Sequence, residues 1–224
     1  VVCVVVHTSP LPHQKEFAGY LERGFKRHGL SVEVTADIHA EGDIHVIQGP
    51  HYAYSTWIGK PRVLFLDRCF YGDSKKDVSL GWLRPDGSRD FMNHAMPEPN
   101  GRLPELKPEK TGDKTIVFAD YGKRNRAVTA AITHDTEHIR LHPAEGRDHG
   151  PLEAVWRDFD VAVGGSSTVL VEAAINGLRV ISYDPRHVCQ NIADRRQWVT
   201  DLSWAQWHYD QIANGRFWEH LCIE

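Results

Sequence analysis

The sequence predicts an α/β protein in two halves, divided near residue 110. Three observations predict this class. Short β-branched runs recur, first at residues 1–6 and again at 115–119 and 161–163. Helical patterns lie between such runs: Phe17, Leu21 and Phe25 recur at four-residue spacing and so share one helix face. Residues 160–185 read as strand, polar loop, helix and strand in close succession.

In the first half, residues 1–6 have the profile of a buried parallel strand, ending at His7-Thr8-Ser9-Pro10. Residues 14–28 are a helix, and Gly29 supplies its stop. Residues 30–35, 43–48 and 62–66 are further strands, the second closed by Gly49-Pro50. That order suits an open parallel sheet. Residues 68–112 lose periodicity. They hold a short strand at 78–83, a turn at Asp86-Gly87, and an extended connection marked by Pro97, Pro99, Pro104 and Pro108.

In the second half, strands are expected at 115–119, 138–141, 161–163 and 178–182. Helices are expected at 126–133, 152–159 and 168–176, the last stopped by Gly177. Residues 187–202 are partly helical. Residues 203–213 read as one helix, with Ser203 and Gln206 at capping-box spacing, and residues 217–221 as a final helical turn. The expected layout is two Rossmann-like halves facing a cleft, 1–110 and 111–202, and a helical tail, 203–224, packing back on the body.

Composition narrows the class. The 224 residues carry a formal net charge of −4, so no overall basic field advertises nucleic-acid binding, although a local basic groove stays open. Hydrophobic residues make up 41% and charged residues 25%, as in ordinary globular chains. Four cysteines, Cys3, Cys69, Cys189 and Cys222, form no CxxC pair, which favours a reduced, cytoplasmic setting. No apolar run approaches membrane-spanning length. The chain begins without Met, so residue 1 need not be a natural start. Four of the seven tryptophans, Trp198, Trp204, Trp207 and Trp218, fall near the C-terminus, where they pin the last helix or form a partner surface.

The candidate chemistry concentrates in the second half. Gly164-Gly165-Ser166-Ser167-Thr168 joins a strand end to a helix start, where unpaired N–H groups favour a phosphate. A plainer reading is that Ser167 or Thr168 only caps the helix. The Gly-Lys-Ser/Thr ending of a P-loop is missing, and the glycine spacing is wrong for the dinucleotide fingerprint. Glu172, one turn on, suits the two hydroxyls of a ribose, or else is a solvated helix residue. Arg140 and His142 close the 138–141 strand, where α/β folds place ligands. Arg140 offers a bidentate fork, and His142 is a phosphate donor or a turn residue. Gly122-Lys123-Arg124-Asn125-Arg126 is the most basic run, able to face phosphates or plain solvent.

In the first half, Asp67 and Asp73 flank the loop Arg68-Cys69-Phe70-Tyr71-Gly72, while His7, Ser9 and His13 surround the end of the first strand. A hydroxyl acceptor needs a base, for which Asp73, Asp67 and His13 are the candidates. Histidines at 7, 13, 28, 39, 45 and 51 form no compact metal-ligand motif, and no metal site is expected.

On His142-Pro143 and Ser166-Ser167 the chain resembles nucleotide-sugar glycosyltransferases of the GT-B type, closest to bacterial polysaccharide and teichoic-acid-type transferases with an HP and an SS motif. The run Ser166-Ser167-Thr168-Val169-Leu170-Val171-Glu172-Ala173-Ala174, followed by Gly177 and Val180-Ile181, looks like the donor-site helix of that family. The resemblance covers about residues 115–185. It implies a compact GT-B-like architecture, with 1–110 on the acceptor side and 111–202 on the donor side, and direct displacement by an acceptor hydroxyl would make the transfer inverting. The expected donor is a UDP-linked sugar, with Lys123, Arg124, Arg140, His142, Gly165, Ser166, Ser167, Thr168 and Glu172 around its diphosphate and ribose. The segments around Trp198, Trp207 and Trp218 resemble the ends of small phage-encoded proteins. This adds hydroxymethylpyrimidine in double-stranded phage DNA as an expected acceptor, with the 123–126 run and Lys75-Lys76 as its contacts. The chain is short for GT-B and its first half is compressed. A nucleotide-sugar epimerase and a non-catalytic GT-B-like binding protein are the alternatives.

Overall fold

The structure is a computed structural model. It describes residues 1–49, 54–91, 98–101, 103–145 and 150–221, and for Tyr54, Ser55 and Arg89 the backbone alone. Pro50, His51, Pro97 and Cys222 lie outside the described residues. The chain forms two compact units, residues 1–101 with 200–224, and residues 102–199.

In chain order, the first unit opens with β1 (Cys3–His7), α1 (Pro12–Arg27), β2 (Ser31–Thr35), β3 (Ile44–Gln48), α2 (Tyr54–Trp57), β4 (Val63–Arg68), β5 (Asp77–Leu83) and β6 (Arg89–Asp90). The second unit holds β7 (Thr115–Phe118), α3 (Arg124–Thr133), β8 (Ile139–Arg140), a 3₁₀ turn (Pro143–Glu145), α4 (Leu152–Asp158), β9 (Val161–Gly164), α5 (Val169–Ile175) and β10 (Arg179–Ser182). Helix α6 (Arg195–Ser203) ends in the first unit, which also contains β11 (Gln206–His208), α7 (Tyr209–Ala213) and α8 (Arg216–Leu221).

The sheet of the first unit runs β11-β5-β4-β3-β1-β2, with β6 paired to β5. Strands β1 to β4 are parallel, as their apolar runs predict. The sheet as a whole is mixed, which corrects the expectation of an open parallel sheet. The link from β4 to β5 is a short loop without a helix, so β5 must return antiparallel. Helix α1 buries Phe17, Leu21 and Phe25 against Val4, Val6, Ile44 and Val46, and the tail adds Trp207, Ile212 and Phe217 to the same core.

The tail departs most from its expected form. Residues 203–213 are not one helix. Ser203 ends α6, and Gln206 enters β11, which pairs antiparallel with β5. The reason is polar satisfaction inside the core. The Gln206 amide nitrogen donates to Ser79 Oγ at 2.9 Å, and its oxygen accepts from Phe70 N at 2.8 Å. Ser203 Oγ donates to Thr200 O and accepts from Asn100 N. The capping box that does form lies later, between His208 and Gln211, at the start of α7.

The second unit has a parallel four-stranded sheet in the order β10-β9-β7-β8. Its core is built of small side chains, with Val117, Ala127, Ala131, Val161 and Val163 packed between α3 and the sheet. Gly177 stops the helix before β10 at φ 90°, and a Cβ there would sit 2.1 Å from Pro108 O. Only glycine meets both conditions.

Candidate functional site

Strand order fixes where the second unit can hold a ligand. From β7 the chain crosses to β8 on one side, then returns to β9 on the other. The loops after β7 and β9 therefore diverge and leave a crevice beyond the carboxyl ends of the strands, where open α/β sheets bind ligands.

A cavity of about 180 Å³ opens there. Arg140, His142 and Pro143 line it from the end of β8, Phe118 and Ala119 from β7, and Ser167, Thr168 and Glu172 from the loop and helix after β9. Five candidate residues from two sequence-distant segments thus share one space.

Their chemistry is mixed in a useful way. Arg140 Nη2 donates to Gly150 O at 2.6 Å, which anchors one edge of the guanidinium. His142 Nδ1 accepts from Ala144 N at 3.2 Å, which leaves Nε2–H as the ring's donor. His142 therefore is a turn residue whose second ring nitrogen is left to donate. Its ring meets Tyr121 edge-on at 5.5 Å. Ser167 Oγ accepts from Val169 N at 3.4 Å, while Thr168 makes no side-chain capping bond at the start of α5. Burial, reinforced by Glu153, holds the Glu172 carboxyl above its ordinary pKa. The cavity offers a cation, an N–H and hydroxyls to an anion, and one carboxylate to a hydroxyl-bearing group. Helix α5 has only seven residues, so its dipole adds little beside these side chains.

Other candidates stand apart. Lys123 and Arg124 line a separate depression with Gly122, Asn125 and Arg126, all exposed, at the start of α3. Gly165 and Ser166 pack against Asp120, a residue the sequence reading passed over. Asp120 is 8% exposed, and its Oδ2 accepts from Ser166 N at 3.2 Å. A single carboxylate two residues beyond a strand carries no distinctive local signal. Knowing that β7 and β9 are neighbours would have singled it out.

In the first unit, Asp67 lies in the β4–β5 ladder opposite Ser79, and its Oδ1 accepts from Arg68 N at 2.8 Å. Asp73 is exposed in the turn before β5. Its carboxylate accepts from Lys75 N at 3.0 Å and stands 3.8 Å from Lys76 Nζ. His13 is exposed in the first turn of α1. His7 is buried, with its Nε2 3.1 Å from His45 Nδ1 and its Nδ1 3.1 Å from Asp37 O. Among the described residues no group of three or more His, Cys, Asp or Glu gathers as a metal site would require, and no helix is long and apolar enough to cross a membrane.

Comparison of the chain with protein-family models, with curated proteins and with solved structures finds no match.

Proposed function

We propose that residues 102–199 bind the diphosphate and ribose of a UDP-linked sugar, and that the chain transfers that sugar to a hydroxyl acceptor with inversion. The observation that carries this reading is the shared cavity of Arg140, His142, Ser167, Thr168 and Glu172 at the strand-order reversal. Sugar transfer needs charge stabilisation on the departing phosphate, and the Arg140 guanidinium with His142 Nε2–H supplies it. The Glu172 carboxylate accepts from ribose hydroxyls. The HP dipeptide that carries the resemblance to GT-B transferases, His142-Pro143, and the second serine of the SS dipeptide, Ser167, lie on this cavity's wall.

The acceptor reading is that of a hydroxymethylpyrimidine in double-stranded DNA, drawn to the exposed run of Lys123, Arg124 and Arg126. Asp73, Asp67 or His13 serves as base. The local engagement of both aspartates favours a second reading, in which the unit binds the nucleotide sugar without turnover.

The test is incubation with labelled UDP-sugars and with hydroxymethylated or plain DNA. Transfer to the modified DNA alone supports the full proposal. Binding without transfer, unchanged in D73A and D67A, supports the second reading. A change in the donor without any acceptor identifies an epimerase.

A further inference from the structure

Residues from three loops must keep fixed positions for the cavity to work, and the loops are cross-tied. Asp120, just past β7, reaches across the strand-order reversal to the loop after β9. Its Oδ2 accepts from Ser166 N at 3.2 Å, with Ser166 Oγ at 3.5 Å. Its own carbonyl accepts from Lys123 N at 3.0 Å and so sets the start of the basic run. Glu145 Oε1, in the turn after His142, accepts from Gly122 N at 3.1 Å. From the far side, Ser182 Oγ, at the end of β10, donates to Gly165 O at 2.9 Å.

Gly165 shows how close the Asp120 contact is. A Cβ at this position would lie 2.2 Å from Asp120 Oδ2 and 2.7 Å from Tyr183 Cε2. Its φ is not in the left-handed region, so the requirement for glycine here is steric and comes from those two side chains. The Tyr183 hydroxyl is buried without a hydrogen-bond partner among the described residues, so the contact on that flank is one of packing.

We infer that Asp120 is the positioning residue of this site: it holds the Gly165-Ser166 backbone in the shape that turns Ser167 and Thr168 into the cavity. A carboxylate accepting from a backbone N–H in a buried setting makes a charge-assisted bond, about twice as strong as a neutral one. Asp120 itself does not line the cavity with Arg140 and His142, so it acts through the loop and not on the ligand. The consequence for ligand affinity rests on the donor-site reading above; the strut does not.

Two readouts separate the two claims. Hydrogen–deuterium exchange over residues 164–168 is followed in the full chain for wild type, D120A and D120N, with residues 161–163 as the internal check on folding. UDP affinity is measured on the same samples. D120A should speed exchange of the loop by about 10-fold or more, the effect of losing a hydrogen bond to a charged group, while 161–163 stays protected. D120N keeps an oxygen acceptor and the side-chain shape, so it should stay within about 3-fold of wild type. UDP affinity should fall about 10-fold in D120A and be rescued in D120N. Should D120A fail to fold, Gly165→Ala displaces the carboxylate without removing it and should loosen the same loop. Unchanged exchange in D120A, or in Gly165→Ala, overturns the inference. So does a D120N chain with a protected loop and UDP affinity as poor as that of D120A, because Asp120 would then touch the ligand. A wild-type chain that ignores UDP sinks the donor-site reading, while the exchange data still decide the strut.

Discussion

Two places in this molecule share a strand order and end differently. In the first unit the parallel strands lie β2-β1-β3-β4; in the second they lie β8-β7-β9-β10. Each order reverses once, between β1 and β3 and between β7 and β9. At the first reversal Gln48 Nε2 donates to His7 O at 3.3 Å, and His7 pairs with His45 under Trp57. At the second, the side chains of Arg140, His142, Ser167 and Glu172 surround a cavity. Topology sets where an open α/β sheet can take a ligand, and the residues at the strand ends set what lines that place.

The cores differ in the same sense. The first unit fills its interior with Trp207, Phe25, Phe65 and Phe217, all almost fully buried. The second uses mostly valine and alanine. The largest expected effect therefore falls in the first unit. Phe217 is 0% exposed and meets Phe25 edge-on at 5.0 Å. Phe217→Ala should cost about 3–5 kcal/mol, read from the urea midpoint. A cost below about 1 kcal/mol would show that the tail is not part of this core.

Next in size is the cationic wall of the cavity. Arg140→Ala should weaken UDP binding by about 1.5–3 kcal/mol, roughly 10- to 150-fold, with little change in thermal stability. Equal affinity for both proteins would remove Arg140 from the site and leave the comparison without its main contrast.

Glu172 sharpens the contrast further, with a smaller effect. Glu172→Gln should lower UDP affinity about 10-fold while leaving inorganic pyrophosphate unaffected, because only the ribose contact is lost. It should also change the pH profile of stability. The folded chain holds the Glu172 proton more tightly than the unfolded chain does, since burial and Glu153 raise its pKa. Stability is thus fully retained below the ordinary glutamate pKa and declines as pH rises to the raised value. Glu172→Gln lacks that decline, so urea midpoints of wild type and variant should separate as pH rises above the ordinary glutamate pKa, with the variant gaining at the higher pH.

The smallest effect belongs to Asp73. Its carboxylate is exposed and its ion pair with Lys76 is long, at 3.8 Å. Asp73→Ala should shift stability by less than about 1 kcal/mol, so any larger loss of transfer activity reports chemistry and not folding.

The residues explain what could be read in advance. Strands β1, β3, β4, β7 and β9 were legible because buried parallel strands are continuous apolar runs, and α1 because its apolar residues recur at helical spacing. HP and SS were legible as dipeptides. The direction of β5 was not, because it depends on the absence of a helix in the loop before it. Gln206 was misread because its spacing from Ser203 imitates a cap, whereas its amide is used 127 residues away, on Ser79. Asp120 was invisible for the same reason: its partner Ser166 lies 46 residues on, and only the adjacency of β7 and β9 joins them.

The most direct test of the central claim is a calorimetric titration of the chain with UDP, UDP-sugars and pyrophosphate, repeated with the Arg140→Ala/His142→Ala double variant. The donor-site account predicts saturable one-to-one binding of UDP with a dissociation constant below about 1 mM, lost in the double variant. Absence of saturable binding to every nucleotide, or binding that the double variant retains in full, would contradict it.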